Sequence, residues 1–293
     1  MRPDVRFLDK SRGFWAYVRL ISEQAGYSQK GKQGTQRTLK AYDAQDMVGT
    51  LRARELPTTE VANGDGSLTP LGHDILSYLT VRRRLLTEQA EPSLQTYAEA
   101  EAMFEHVVSE HPRHGIVLQG NRQAKAIQHP LFLANTVSIL AEAAVGSDGF
   151  VPDPTRLVTF SDGSGLQRVL CRRLDGALPS THNPLAVWEC KEYYGTTTFG
   201  SRVADGIYET MLVGEELAEL RNQLGVAVNH YLFVDDHYTW WQLGRSYLCR
   251  IVDAMHTGHI SEAFFGREVL TRWPEVLESL RAGRLAATGS RSD

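Results

Sequence analysis

From residue 130 onward the chain alternates between helical and strand periodicity, and that alternation restricts it to an α/β (α+β) fold. PLFLANTVSILAEAAVG, 130–146, reads as an apolar helix stopped at Gly146. RLVTF, 156–160, is a β-branched and aromatic run. Asp162-Gly163-Ser164-Gly165 then turns the chain, with Asp162 as a turn residue, and LQRVLCRRLDG, 166–176, pairs back as a hairpin partner. After a break at residues 180–184, LAVWECKEYY, 185–194, is a third strand. TTTFGSRVADGIYETMLVGEELAELRNQL, 196–224, is a long amphipathic helix with Val203, Ile207, Met211, Leu212 and Leu217 inward. VAVNHYLFVDD, 226–236, is another strand, and further helices follow. The order is helix, three strands with a hairpin, helix, strand, helix.

The third strand carries a charged pair in an otherwise apolar run. Glu189 and Lys191 are two apart, so both project from one face of the strand, and Trp188 and Cys190 take the other, core-facing side. Upstream, Asp175 is read at the end of the hairpin's second strand. Gly176 beside it lets the backbone diverge and leaves the carboxylate at a sheet edge. The spacing to Glu189 allows one strand to end, a loop to turn and the next strand to run alongside. The plain alternative is a surface ladder of ion pairs on an exposed sheet face.

LDGALPSTHNPLAVWECKEYYG resembles the core motif of the PD-(D/E)XK nuclease superfamily, an Asp followed on a neighbouring strand by Glu-X-Lys, and the αβββαβ order around it is similar to that superfamily's restriction-endonuclease-like core. Leu174 stands where a proline often precedes the first acid, a position that varies in the superfamily. The resemblance implies a Mg2+-dependent endodeoxyribonuclease, with Mn2+ able to substitute. Asp175, Glu189 and the backbone carbonyl of Cys190 are the expected metal ligands, and Lys191 is expected beside the attacking water. An acid on the preceding helix often assists in this superfamily, and Glu142 is the acid on that helix. Magnesium is a hard cation that takes carboxylate oxygens and keeps waters, so two convergent acids make a half-site that a DNA phosphate can complete.

The first ninety residues differ in character. Helical spacing over 11–25, with Ser11 as N-cap, is followed by the polar stretch GYSQKGKQGTQR and a second helical region at 37–55. Two short β-prone pieces flank the turn Asn63-Gly64-Asp65-Gly66, and HDILSYLTVRRRLL is a closing helix. GSLTPLGHDILSYL resembles the wing-to-last-helix passage of winged-helix DNA-binding domains; a helical interaction module is the plainer reading. Residues 1–60 hold eleven Lys or Arg against seven acids. Lys30, Lys32, Arg37, Lys40, Arg52 and Arg54 are therefore the candidate DNA contacts, together with Arg202 and Thr197 beside the motif. For Thr197 the alternative is simple helix N-capping. For Arg202, Asp205 and Glu209 it is an ion-pair series on a solvated helix face, against contact with DNA or with Lys191. The expected division is a winged-helix-like domain at 1–91, an acidic helical connector at 92–128 with its helix over 92–115, a nuclease domain at 129–285 and a frayed tail at 286–293.

Composition narrows the alternatives. The net charge of −4 does not itself announce a nucleic-acid binder. Three cysteines without CxxC spacing fit reduced thiols and argue against a zinc or iron–sulfur site, and no zinc pair is assigned to His256 and His259. Asp235-Asp236-His237 reads as a strand-end turn, and Trp240-Trp241 as core or interface. No run of eighteen apolar residues occurs and MRPDVRFLDK has no secretory character, so a cytoplasmic location without membrane contact is expected. The leading expectation is a type II restriction-like enzyme acting on double-stranded DNA, as a homodimer because two strands need two active sites, with a cognate DNA methyltransferase. The alternatives are a phage-defence or repair nuclease reading modified or structured DNA, and a DNA-binding regulator without catalysis.

Overall fold

The computed structural model describes residues 1–30, 37–120, 130–194 and 200–289. Lys32 and Thr197 lie outside these. α1 (Arg12–Ala25) starts where the sequence places it, because the Ser11 hydroxyl accepts the Phe14 N–H. β1 (Ser28–Gln29) and β2 (Thr38–Leu39) pair antiparallel. α2 (Ala44–Ala53) is shorter than the expected 37–55. Asp43 and Asp46 form a reciprocal capping box that fixes its first turn, and Thr38 and Leu39 are already committed to β2. The turn at Asn63–Gly66 closes with a 3.0 Å bond from the Gly66 N–H to the Asn63 carbonyl, yet its flanks meet only at the single bridge Ala62–Leu68. The reason is α3 (Pro70–Leu85), which starts before the expected His73. Thr69 caps it and Pro70 opens it, leaving no residues for a second strand. A π-helical turn (Leu86–Ala90), the single turn α4 (Glu91–Ser93) and α5 (Tyr97–Glu110) follow. α5 is confined by its own Thr96–Glu99 capping box to less than the expected 92–115.

The second part is built on a mixed sheet. After α6 (Phe132–Val145) come β3 (Val151–Pro152), β4 (Thr159–Asp162), β5 (Gly165–Val169), β6 (Gly176–Leu178) and β7 (Ala186–Glu192). Then come α7 (Ser201–Leu224), β8 (Asn229–Asp235), α8 (Arg245–His256), β9 (Glu262–Phe265) and α9 (Val269–Gly289). The sheet order is β3-β6-β7-β8-β9; the first two pairings are antiparallel and the last two parallel. The class is therefore mixed α/β. The expected hairpin at 156–176 forms only in part. β4 and β5 make a separate two-stranded sheet, β5 ends at Val169, and Asp175 precedes the new strand β6 rather than ending the hairpin. α9 continues through Gly289 into the stretch expected to fray, whose last four residues lie outside the described ones.

Strand alternation sorts the core into two layers. Trp188, Tyr231, Phe233 and Phe264 face α5, α6 and α9, with Trp273 at the centre of an aromatic cluster. On the other face Leu232, Val234, Ala263 and Phe265 lie under α8 and the N-terminal helices, and Val187 packs against Val213, Leu217 and Leu220 of α7. Leu212, expected inward, is 51% exposed, and Val213 takes the inward position instead. Trp240 and Trp241 are core, as read. The N-terminal helices share this second core with the sheet. Buried Arg82 reaches across to Asp253 of α8 at 2.9 Å and to Ser22 of α1 at 2.9 Å, and Tyr78 stacks edge-on against His256. Among the described residues no helix is long and apolar enough to cross a membrane.

Candidate functional site

β6 is three residues long, and its pairing with β7 stops at Gly176–Trp188. Beyond that point the edge of β7 has no strand beside it, and the Asp175 side chain takes the strand's place. Its carboxylate accepts the Cys190 N–H at 2.7 Å, while the Asp175 N–H donates to the Trp188 carbonyl at 3.0 Å. Strand geometry turns the carbonyl of Cys190 to the same side as its N–H, hence toward Asp175. Gly176 is required here: a Cβ would come within 2.0 Å of the Trp188 indole, which lies over the backbone at that point.

Glu189 and Lys191 project together from the face of β7 covered by α7. Glu189 is 1% exposed, and Lys191 Nζ lies 2.8 Å from its Oε2. Its other oxygen, Oε1, is bonded by Arg172. Glu209, one face of α7 away, accepts from Arg172 at 3.0 Å and from Lys191 at 3.4 Å. Two cations and two carboxylates thus close a network over a carboxylate that water hardly reaches. α7 comes this near because residue 206 is glycine; a Cβ there would stand 2.7 Å from the Tyr193 hydroxyl and 3.4 Å from Lys191 Cδ. Burial raises Asp175 above the ordinary carboxylate value, with Lys191 and Arg172 opposing the shift. Burial and Asp175 hold the Cys190 thiol well up, so Cys190 offers the site its backbone and not a thiolate.

These groups share a cleft of about 480 Å³ that also takes in Arg202, Asp205 and Ala134. The structure therefore brings Asp175, Glu189, Cys190, Lys191 and Arg202 together. Arg202 lies over the Tyr193 ring at 5.4 Å, and Glu209 contacts the lysine rather than joining an ion-pair series along its own helix. Glu142 is not brought in. α6 approaches the cleft with its first turn, and Glu142 lies eight residues beyond Ala134, about 12 Å along the axis, where its carboxylate accepts the Gly115 N–H at 2.8 Å. The acid that does meet α6 is Glu192. It accepts the Leu133 and Ala134 N–H groups at 3.2 and 3.1 Å, supplying the cap that Leu131 cannot, and burial pushes it up to about 8. Of the remaining candidates, Lys30, Arg37, Arg52 and Arg54 are exposed, with Arg54 bonded to Gln24, and Lys40 is paired with Asp46 at 2.9 Å. Asp236 caps the turn after β8, accepting the Tyr238 and Thr239 N–H groups, and the Asp162 carboxylate accepts the Ser164 N–H across its own turn.

Arg172 and Glu192 are the members of the site that sequence reading does not name, and Glu209 enters it through the less favoured of its two readings, contact with Lys191. The bare start of α6, with no Ser, Thr, Asp or Asn at its cap, signalled that a partner must come from elsewhere in the fold.

Fold and site together define a mixed α/β protein with a charged cleft where a central strand outruns its neighbour. Residues 95–280 match a family model described as "Domain of unknown function (DUF7687)", which spans well over half of the chain, and the chain belongs to that family. Residues 1–89 match a second model, "Domain of unknown function (DUF7690)". No curated protein and no solved structure matches the chain.

Proposed function

We propose that this protein is a Mg2+-dependent endodeoxyribonuclease of PD-(D/E)XK type. The observation that carries the reading is the convergence of Asp175, Glu189 and Lys191 on one cleft at the place where β6 and β7 part. The topology supports it: an antiparallel β3-β6-β7 meander after α6, then a crossover through α7 to the parallel strand β8, is the αβββαβ order with a small hairpin inserted.

The donor set suits a hard cation as a half-site. Asp175 and Glu189 offer carboxylates and Cys190 a carbonyl. Among the described residues no three His, Cys, Asp or Glu side chains gather closely enough to hold an ion alone, so waters and a substrate phosphate must complete the sphere. A bound divalent ion supplies charge neutralisation on the phosphate and acidifies water. Lys191, held at one end by Glu189 and Glu209, orients the attacking water and offsets charge as it develops. Arg202 at the cleft rim and the exposed cations Lys30, Arg37 and Arg52 hold the DNA backbone. Cutting both strands of a duplex requires two such sites, hence a symmetric dimer on the DNA. The reading is tested by digesting supercoiled plasmid with Mg2+ using wild type, Asp175→Ala and Lys191→Ala. Nicking or linearisation by wild type alone supports it, and identical behaviour of all three rejects it.

A further inference from the structure

We propose that Arg172 is a built-in counter-ion that occupies the metal half-site at rest and is displaced when a divalent ion enters; this rests on the reading of the cleft as a nuclease site. Glu189 is too deeply buried to be neutralised by water, and its Oε2 is already taken by Lys191. Arg172 covers the remaining oxygen with one guanidinium nitrogen and spans to Glu209 with the other, so a single side chain joins strand β7 to helix α7 across the mouth of the cleft. Glu189 therefore has no oxygen left for a metal ion while Arg172 stays in place.

The local electrostatics point the same way. The cleft holds Asp175, Glu189, Glu192, Asp205 and Glu209 against Arg172, Lys191 and Arg202, so it has room for added positive charge. At Glu189 itself, however, an entering divalent ion meets the Arg172 guanidinium at close range, and that repulsion is relieved when Arg172 leaves. The residue is placed to leave. It belongs to the irregular segment between β5 and β6, its side chain is 27% exposed, and the segment is anchored on both sides by the buried Leu170 and Leu174. The guanidinium can therefore swing outward without moving the backbone. Swung out, it presents a planar pair of donors at the rim, where a phosphate approaching the cleft passes.

The test uses the full chain without DNA, titrated with Mn2+ by calorimetry at mildly alkaline pH, with the melting temperature followed in parallel. Arg172→Met is expected to bind Mn2+ about tenfold more tightly than wild type, because no cation has to be expelled. It is also expected to melt lower in chelator and to gain more from Mn2+. Arg172→Lys, which keeps the charge but not the span to Glu209, is expected to bind a few-fold more tightly, and it decides the matter if the methionine variant does not fold. Glu189→Gln is expected to bind no Mn2+. Equal affinity of wild type and the Arg172 variants, with binding lost in Glu189→Gln, overturns the counter-ion role and leaves the metal site standing. Absence of Mn2+ binding in wild type and the Arg172 variants alike overturns the nuclease reading, and this proposal with it.

Discussion

The Asp175 carboxylate bonds the Cys190 N–H at 2.7 Å, on the stretch of β7 that β6 does not cover. One side chain thus has two tasks that separate by substitution. Asp175→Ala leaves a buried N–H without an acceptor, which costs about 1–3 kcal/mol. Asp175→Asn keeps an acceptor oxygen in place and is expected to denature within about 1 kcal/mol of wild type in urea. Both variants are expected to lose Mg2+-dependent cleavage of plasmid DNA if the cleft is the nuclease site proposed above. If the alanine variant is as stable as wild type, the bond to Cys190 contributes nothing to the fold.

Lys191 and Glu189 form a buried pair whose members are costly to leave alone. Lys191→Met strands the Glu189 carboxylate with Arg172 as its one remaining cation, and the expected loss is about 2–4 kcal/mol. Adding Glu189→Gln removes the stranded charge, so the double variant recovers part of that loss. A double-mutant cycle by chemical denaturation should give a coupling of about 1–3 kcal/mol between the two positions. Additivity would place them in independent environments, contrary to the 2.8 Å contact.

How much of this was legible follows from the range of the forces involved. The period of two alone puts Glu189 and Lys191 on one face of β7 and Trp188 and Cys190 on the other, and the long apolar periods of α6 and α7 mark both helices. Three residues show no period, so β6 is invisible in the sequence and Asp175 reads as the end of the preceding hairpin strand. Glu142 is an acid on the right helix, but a helix of fourteen residues has two ends and only one meets the cleft. Arg172 contacts Glu189 from seventeen positions away through a segment without regular structure, and nothing in local spacing encodes such a contact.

Gly206 sets the distance between α7 and the strand beneath it. In an exposed helix Gly→Ala gains about 0.5–1 kcal/mol, but here the new methyl meets the Tyr193 hydroxyl at 2.7 Å and then Lys191 Cδ at 3.4 Å. Gly206→Ala is therefore expected to reduce cleavage about tenfold or more by shifting Lys191, since small misplacements of an active-site group are expensive. The melting temperature should change little. Tyr193→Phe removes the oxygen that the methyl strikes, so Tyr193→Phe/Gly206→Ala should regain most of the activity. A double variant no better than Gly206→Ala would place the obstruction elsewhere.

Asp235 stands opposite Glu192 in the β7–β8 register, buried and faced by Tyr194, Asp236 and the Gln95 backbone, whose N–H it accepts at 2.8 Å. Burial raises its carboxyl from 3.8 to about 7, against the hydrogen bonds that favour the charge. A carboxyl that holds its proton more tightly in the folded chain stabilises the fold fully below its unfolded value. That contribution is lost as pH climbs to the folded value. Between pH 3.8 and about 7, wild type should therefore lose stability relative to Asp235→Asn, which does not titrate and still accepts from Gln95. Above pH 7 the asparagine variant should be the more stable of the two, by a few kcal/mol at most. Glu192, raised by burial and by Asp235 itself, is released from that neighbour in the variant, so the difference between the urea midpoints reports Asp235 together with its coupling to Glu192. Midpoints that run parallel across the whole range would mean that Asp235 ionises as it does in the unfolded chain.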